Sequence, residues 1–193
     1  QEAELGTHRL VAVPARHFSG RSLADRDRTL WTSWVIVGPR RRVYFSGDTS
    51  FFPAMAEIGR RYGPFDATMI ESGAYNQLWS DVHLGPEQAV EAHRLLRGRV
   101  MIPVHWGTFD LALHAWTEPI ERVLAAANAA KVTVLTPRPG QSFEPGVDTP
   151  TARWWPEVPG SSATDAPVRA SSRDRRIPAV RFGTPRPAYP SWP

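Results

Sequence analysis

The sequence predicts an α/β layered domain, and three observations predict it. Short apolar runs alternate with stretches whose apolar residues recur at helical spacing. The loops that leave those runs carry Gly, Asp and His, so candidate functional groups gather at one edge of a sheet. From about Pro150 onward the composition turns to Pro, Ser and Arg with no periodic apolar face. The body is therefore expected over residues 1–149, followed by a Pro/Arg-rich tail over 150–193. Such a tail buries too little surface to offset its ordering entropy and is expected to be disordered.

The elements follow in order. His8–Val13 reads as a strand, and Pro14 then turns the chain into a loop carrying Arg16 and His17. Residues 19–28 are polar without periodicity, an exposed loop. Residues 31–37 are rich in aromatic and β-branched side chains, and Gly38-Pro39-Arg40-Arg41 turns them into a second strand that ends at Gly47-Asp48. Pro53 suits a first helical position, and Met55, Ile58 and Tyr62 follow at helical spacing until Gly63-Pro64 stops them. Residues 65–70 form the next strand, leaving through Glu71 to Tyr75. Pro86 opens a second helix through Leu96, closed by Gly98. The continuous apolar run 100–104 suggests a strand buried on both faces, and it delivers His105. Pro119 opens a third helix with Ile120, Val123, Leu124 and Ala127 on one face. Residues 131–135 are the last expected strand.

A chain of 193 residues has room for one domain with a sizeable core. No apolar run approaches the roughly 18 residues of a membrane span, so a soluble or peripheral protein is expected. The first residue is Gln1, which suggests a processed chain or a piece of a longer one. Without cysteine, a metal must take His, carboxylate or water ligands. The formal charge of +4 lies wholly in the tail, since residues 1–150 balance 16 basic against 16 acidic side chains. That neutral body argues against nucleic acid as a partner, because phosphate tracking needs a positive surface near the site. The Arg clusters of the tail leave open a membrane surface or simple solvation.

His17, Asp48 and His105 each follow apolar sequence that would fix their positions. Imidazole nitrogen and carboxylate oxygen on a rigid scaffold are what zinc or a similar cation takes, and a carboxylate can bridge two metals. Spacing alone leaves a second reading open, in which Gly-Asp-Thr-Ser is a turn and the histidines are hydrogen-bonded structure. His83 is either a solvated loop residue or a substrate contact. Gly73-Ala74-Tyr75 is either a plain turn or a pocket wall.

These residues in this order resemble a known family. Pro14-Ala15-Arg16-His17, Trp31-Thr32-Ser33-Trp34, Phe45-Ser46-Gly47-Asp48-Thr49, Gly63-Pro64-Phe65-Asp66, Gly73-Ala74-Tyr75, His83 with Pro86-Glu87-Gln88-Ala89, and His105-Trp106-Gly107-Thr108-Phe109 carry the resemblance. It is to the metallo-β-lactamase-fold hydrolases, in the branch of N-acyl-phosphatidylethanolamine-hydrolysing phospholipase D and its bacterial relatives, over residues 8–145. The resemblance implies an αββα sandwich with two zinc ions. His17 would bind one metal and His105 the other, with Asp48 bridging them. The implied chemistry is hydrolysis of a phosphodiester, phospholipid-like or related ester or lactone substrate, the cations lowering the pKa of water and stabilising developing charge. By the same resemblance His83 would contact substrate or transfer a proton, and Tyr75 would line the pocket.

One part of the pattern is missing. The family's His-x-His-x-Asp-His cluster, the source of most metal ligands, does not occur, and no His-x-His is found in the chain. The chain is therefore expected to be the second half of the sandwich, with an inner sheet face of Trp31, Trp34, Val35 and Ile70 lacking its partner. The missing half would come from the same polypeptide or from another chain. The alternative is a non-catalytic remnant or interaction module without bound metal.

Overall fold

The computed structural model describes residues 1–22 and 24–171. Six strands form one sheet in the order β1 (Glu2–Leu5), β2 (His8–Val13), β3 (Ser33–Val37), β4 (Arg42–Phe45), β5 (Phe65–Glu71), β6 (Gly98–Val104). The first four pair antiparallel and the last two join in parallel, with Val11 beside Val35, Val35 beside Tyr44 and Tyr44 beside Thr68. Parallel pairing needs crossovers, and α1 (Ala54–Tyr62) and α2 (Pro86–Leu96) supply them, followed by α3 (Glu118–Ala130). Because antiparallel neighbours reverse direction, β2, β4, β5 and β6 all run the same way. Their carboxyl ends therefore open at one edge of the sheet, where open α/β sheets place their ligands.

Alternation along each strand sorts side chains to two faces. Val11, Val35, Tyr44, Ile70 and Met101 pack with Met55, Ile58, Ala89, Leu96 and Val123 of the helices in the main core. The opposite face carries Val43, Ala67, Met69, Val100, Ile102 and Val104, with Leu135 and Phe143 laid against it. Trp34 lies beyond that cover and is 36% exposed.

Several expectations change. The unpartnered face does not hold Val35 and Ile70, which are fully buried under the helices. Trp31 precedes β3 and turns its Nε1 to the carbonyl of Ala15, so of that group only Trp34 belongs to the open face. The strand expected at 131–135 shrinks to one parallel bridge, Val134 with Met101. Thr136 sends its N–H to the carbonyl of Pro150 and Pro137 has none to offer, so the ladder stops. The strand Glu2–Leu5 pairs with β2 although it carries no alternating apolar pattern.

The segment 150–171, expected to be disordered, instead lies along the body. Trp154 donates from Nε1 to the carbonyl of Thr136, and Trp155 from Nε1 to Glu121 of α3. Both indoles pack with Trp106, and Ser171 binds the carboxylate of Asp81. Three packed indoles bury enough apolar surface to order an irregular segment that has no periodicity of its own. Residues 172–193 of the expected tail lie outside the described residues.

Candidate metal centre

Four loops bring the site together at the carboxyl ends of β2, β4, β5 and β6. After β2, Arg16 locks the His17 loop to the Asp48 loop. Its N–H donates to Thr49 Oγ1 at 2.9 Å, and its carbonyl accepts the N–H of Ser50 at 2.8 Å. The buried guanidinium meets Asp81 at 3.1 Å and the carbonyl of Phe51 at 3.1 Å. After β4, Gly47 adopts φ +56, a left-handed turn that glycine takes without cost, and so aims Asp48 off the strand end. After β6, His105 itself holds φ +65, which histidine tolerates better than branched residues.

The side chains converge. Asp48 Oδ1 lies 3.5 Å from His105 Nε2. The rings of His17 and His83 are 5.1 Å apart, and those of His83 and His105 5.3 Å. The four residues line a cavity of about 370 Å³ whose walls include Phe18, Trp79 and Leu111. His17 Nδ1 sits 2.8 Å from the carbonyl of Phe18, so Nδ1 carries the proton and Nε2 keeps its lone pair. Among the described residues that Nε2 is buried with no hydrogen-bond partner, and so is Nδ1 of His105. Burial lowers the pKa of both His17 and His83, which keeps them neutral as ligands and bases must be.

Glu71 is the residue that sequence reasoning passed over. It ends β5 as Asp48 follows β4, and that shared position was the available signal. Fully buried, it meets His83 Nδ1 with Oε2 at 2.7 Å, while Oε1 accepts the N–H groups of Thr49 at 2.7 Å and Leu84 at 3.2 Å. Burial raises its pKa well above the ordinary carboxylate range. Glu71, His83 and His105 bring ligand-type atoms within 4.8 Å of one another.

Tyr75 is placed differently. Its ring is buried outside the histidine cavity, its hydroxyl donates to Glu118 at 2.7 Å, and His114 stacks on it at 4.1 Å. It lines a neighbouring recess with His114, Glu118 and Val168. His93 is buried and bonded to Thr68, a packing role.

The profile of the beta-lactamase superfamily domain matches residues 1–106. The chain belongs to the beta-lactamase superfamily. The αββα fold of its metal-dependent hydrolases accounts for the sheet, the helices on one face and the loops at one edge. An uncharacterised protein of Mycobacterium tuberculosis is 49% identical over 158 residues, 80% of this chain and 42% of that protein. An N-acyl-phosphatidylethanolamine-hydrolysing phospholipase D of Caenorhabditis elegans is 42% identical over 102 residues, 51% of this chain and 29% of that one. A metallo hydrolase from Ignicoccus hospitalis superposes with a TM-score of 0.54 at 26% identity, covering 76% of this chain and 55% of that one. The superfamily member described here thus spans less than half the length of the mycobacterial relative. Among the described residues no helix is long and apolar enough to cross a membrane.

A metal of this superfamily fits the residues present. Imidazole nitrogens left without partners beside a carboxylate, with no thiolate in the chain, form a nitrogen and oxygen donor set for a borderline cation. The tie from His17 Nδ1 to a backbone carbonyl is the usual arrangement for a ligating imidazole.

Proposed function

We propose that this chain forms the substrate-side half of a dinuclear zinc hydrolase acting on a phosphodiester, phospholipid-like or related ester or lactone substrate. The observation that carries the reading is the buried, unpartnered Nε2 of His17, in one cavity with Asp48 and His105. His17 and His105 would hold one zinc each and Asp48 would bridge them. Bound there, zinc would polarise water and offset the negative charge that develops on the substrate.

The chain's own residues do the rest. His83, held neutral by burial, accepts or returns a proton at the substrate. Phe18, Trp79 and Leu111 give an apolar substrate group a wall to lie against. Leu111 lines the cavity and is exposed, as is Phe109 two residues before it in the chain, which supports a substrate with acyl chains and contact with a membrane surface. The C. elegans relative, whose name describes hydrolysis of a phospholipid, supports the same class.

The remaining zinc ligands would come from a segment bearing His-x-His-x-Asp-His, in the same polypeptide or a partner chain. It would seat its sheet at Trp34, the part of that face beyond the cover of Leu135 and Phe143.

Zinc content per chain and hydrolysis of bis(p-nitrophenyl) phosphate test the reading. Zinc that is lost together with activity in Asp48→Ala is expected. A metal-free protein whose stability is unchanged when His17, Asp48 or His105 is replaced would make it a non-catalytic interaction module.

A further inference from the structure

Resting on the hydrolase reading above, we infer that Glu71 is a positioning residue that fixes the tautomer of His83, placing the ring proton on Nδ1 and leaving the Nε2 lone pair for proton transfer. Glu71 is fully buried, and its carboxylate is engaged on both oxygens. Oε1 faces two backbone N–H groups, those of Thr49 and Leu84, which can only donate. Oε2 lies 2.7 Å from His83 Nδ1, and no other hydrogen bond of the His83 ring is present among the described residues. Burial works against the charged form of Glu71, but the two N–H groups on Oε1 favour it, and in that form Oε2 can only accept, so Nδ1 carries the hydrogen. Nε2 is then the free acceptor in a ring that already touches His17 and His105.

The same carboxylate sets distance as well as tautomer. Thr49 adjoins Asp48 and Leu84 adjoins His83, so one side chain at the end of β5 joins the carboxylate loop to the histidine loop. Three groups already surround the Glu71 carboxylate, the Thr49 and Leu84 N–H groups on Oε1 and His83 Nδ1 on Oε2. A purely structural clamp would hold the two loops equally well without regard to tautomer, and that difference is what an experiment can read.

Glutamine at position 71 separates the two. Its single oxygen must take the Thr49 and Leu84 N–H groups, since turning the amide would set its NH2 against two donors. The NH2 then faces His83 Nδ1, which must accept, and the ring proton moves to Nε2. Shifting an imidazole tautomer costs less than leaving two buried donors unpaired.

Nitrogen-15 NMR of the zinc-free protein, at a pH where imidazole is neutral, reads the tautomer directly. The wild type is expected to carry Nδ1–H at His83 and Glu71→Gln to carry Nε2–H. Zinc-loaded Glu71→Gln should lose roughly 10- to 100-fold in kcat on bis(p-nitrophenyl) phosphate, with KM within about threefold of wild type. Nε2–H in the wild type overturns the inference, and that spectrum decides the matter even if the variant does not fold. An unchanged tautomer or unchanged kcat in a folded Glu71→Gln also overturns it. Absence of zinc and of hydrolysis in the wild type would sink the hydrolase reading instead, while the tautomer result would still stand or fall separately.

Discussion

Gly73 and His105 approach so closely that a β-carbon on Gly73 would stand 1.8 Å from the His105 carbonyl oxygen. The loop leaving β5 thus packs directly on the backbone that presents a proposed metal ligand. Gly73→Ala should therefore destabilise the fold by about 2–3 kcal/mol and displace His105. Urea unfolding monitored by tryptophan fluorescence, with zinc content measured in parallel, would show both losses. An alanine variant of wild-type stability would mean that the two loops separate easily.

Asp48 presents the opposite case. Its side chain is 47% exposed, so its removal leaves no cavity. Compared without zinc, Asp48→Ala should unfold within about 0.5 kcal/mol of wild type, whereas added zinc should stabilise only the wild type, and the variant should lose zinc retention and hydrolysis. A stability loss comparable to that of Gly73→Ala would mark Asp48 as a structural turn residue.

His93 predicts a pH dependence. Burial pushes its pKa down from 6.5 to about 4, so the unfolded chain takes up the proton first as pH falls. Stability is thus complete above about pH 6.5 and declines toward pH 4, by up to about 3 kcal/mol from this residue. His93→Gln should flatten the curve in that window. Equal slopes in the two proteins would remove His93 as the cause.

Trp155 tests whether 150–171 belongs to the body. It is 4% exposed, bonds Glu121 and packs against Trp106 and Trp154. Trp155→Ala should cost about 3 kcal/mol, and protease digestion of that variant should cut within 150–171 before the sheet. Rapid cleavage of the wild-type segment, at the rate of an unfolded chain, would contradict the packing.

Much of the fold was legible because it rests on local signals. Gly63 and Pro64 ended α1 where expected, Pro86 opened α2, and the apolar run before His105 is β6. The run 131–135 does not extend as a strand, because an apolar run does not reveal whether a neighbour has donors and acceptors to spare. At 150–171 the packing comes from Trp154 and Trp155 meeting Trp106, a contact that no window of sequence contains.

The sequence by itself determined which chemistry is available here: imidazoles and carboxylates at strand ends, in the order of a known hydrolase family, with no thiolate and no His-x-His. The tertiary structure alone decided which of them meet. Strand direction put His17, Asp48, Glu71 and His105 at one edge, while Tyr75 turned away to Glu118. It also brought Glu71 to His83, a pairing that exists because a buried carboxylate must find donors and the Thr49, His83 and Leu84 groups were within reach. Residue type sets the chemistry a group can do, and burial with hydrogen bonding sets which atom of it is left to do it.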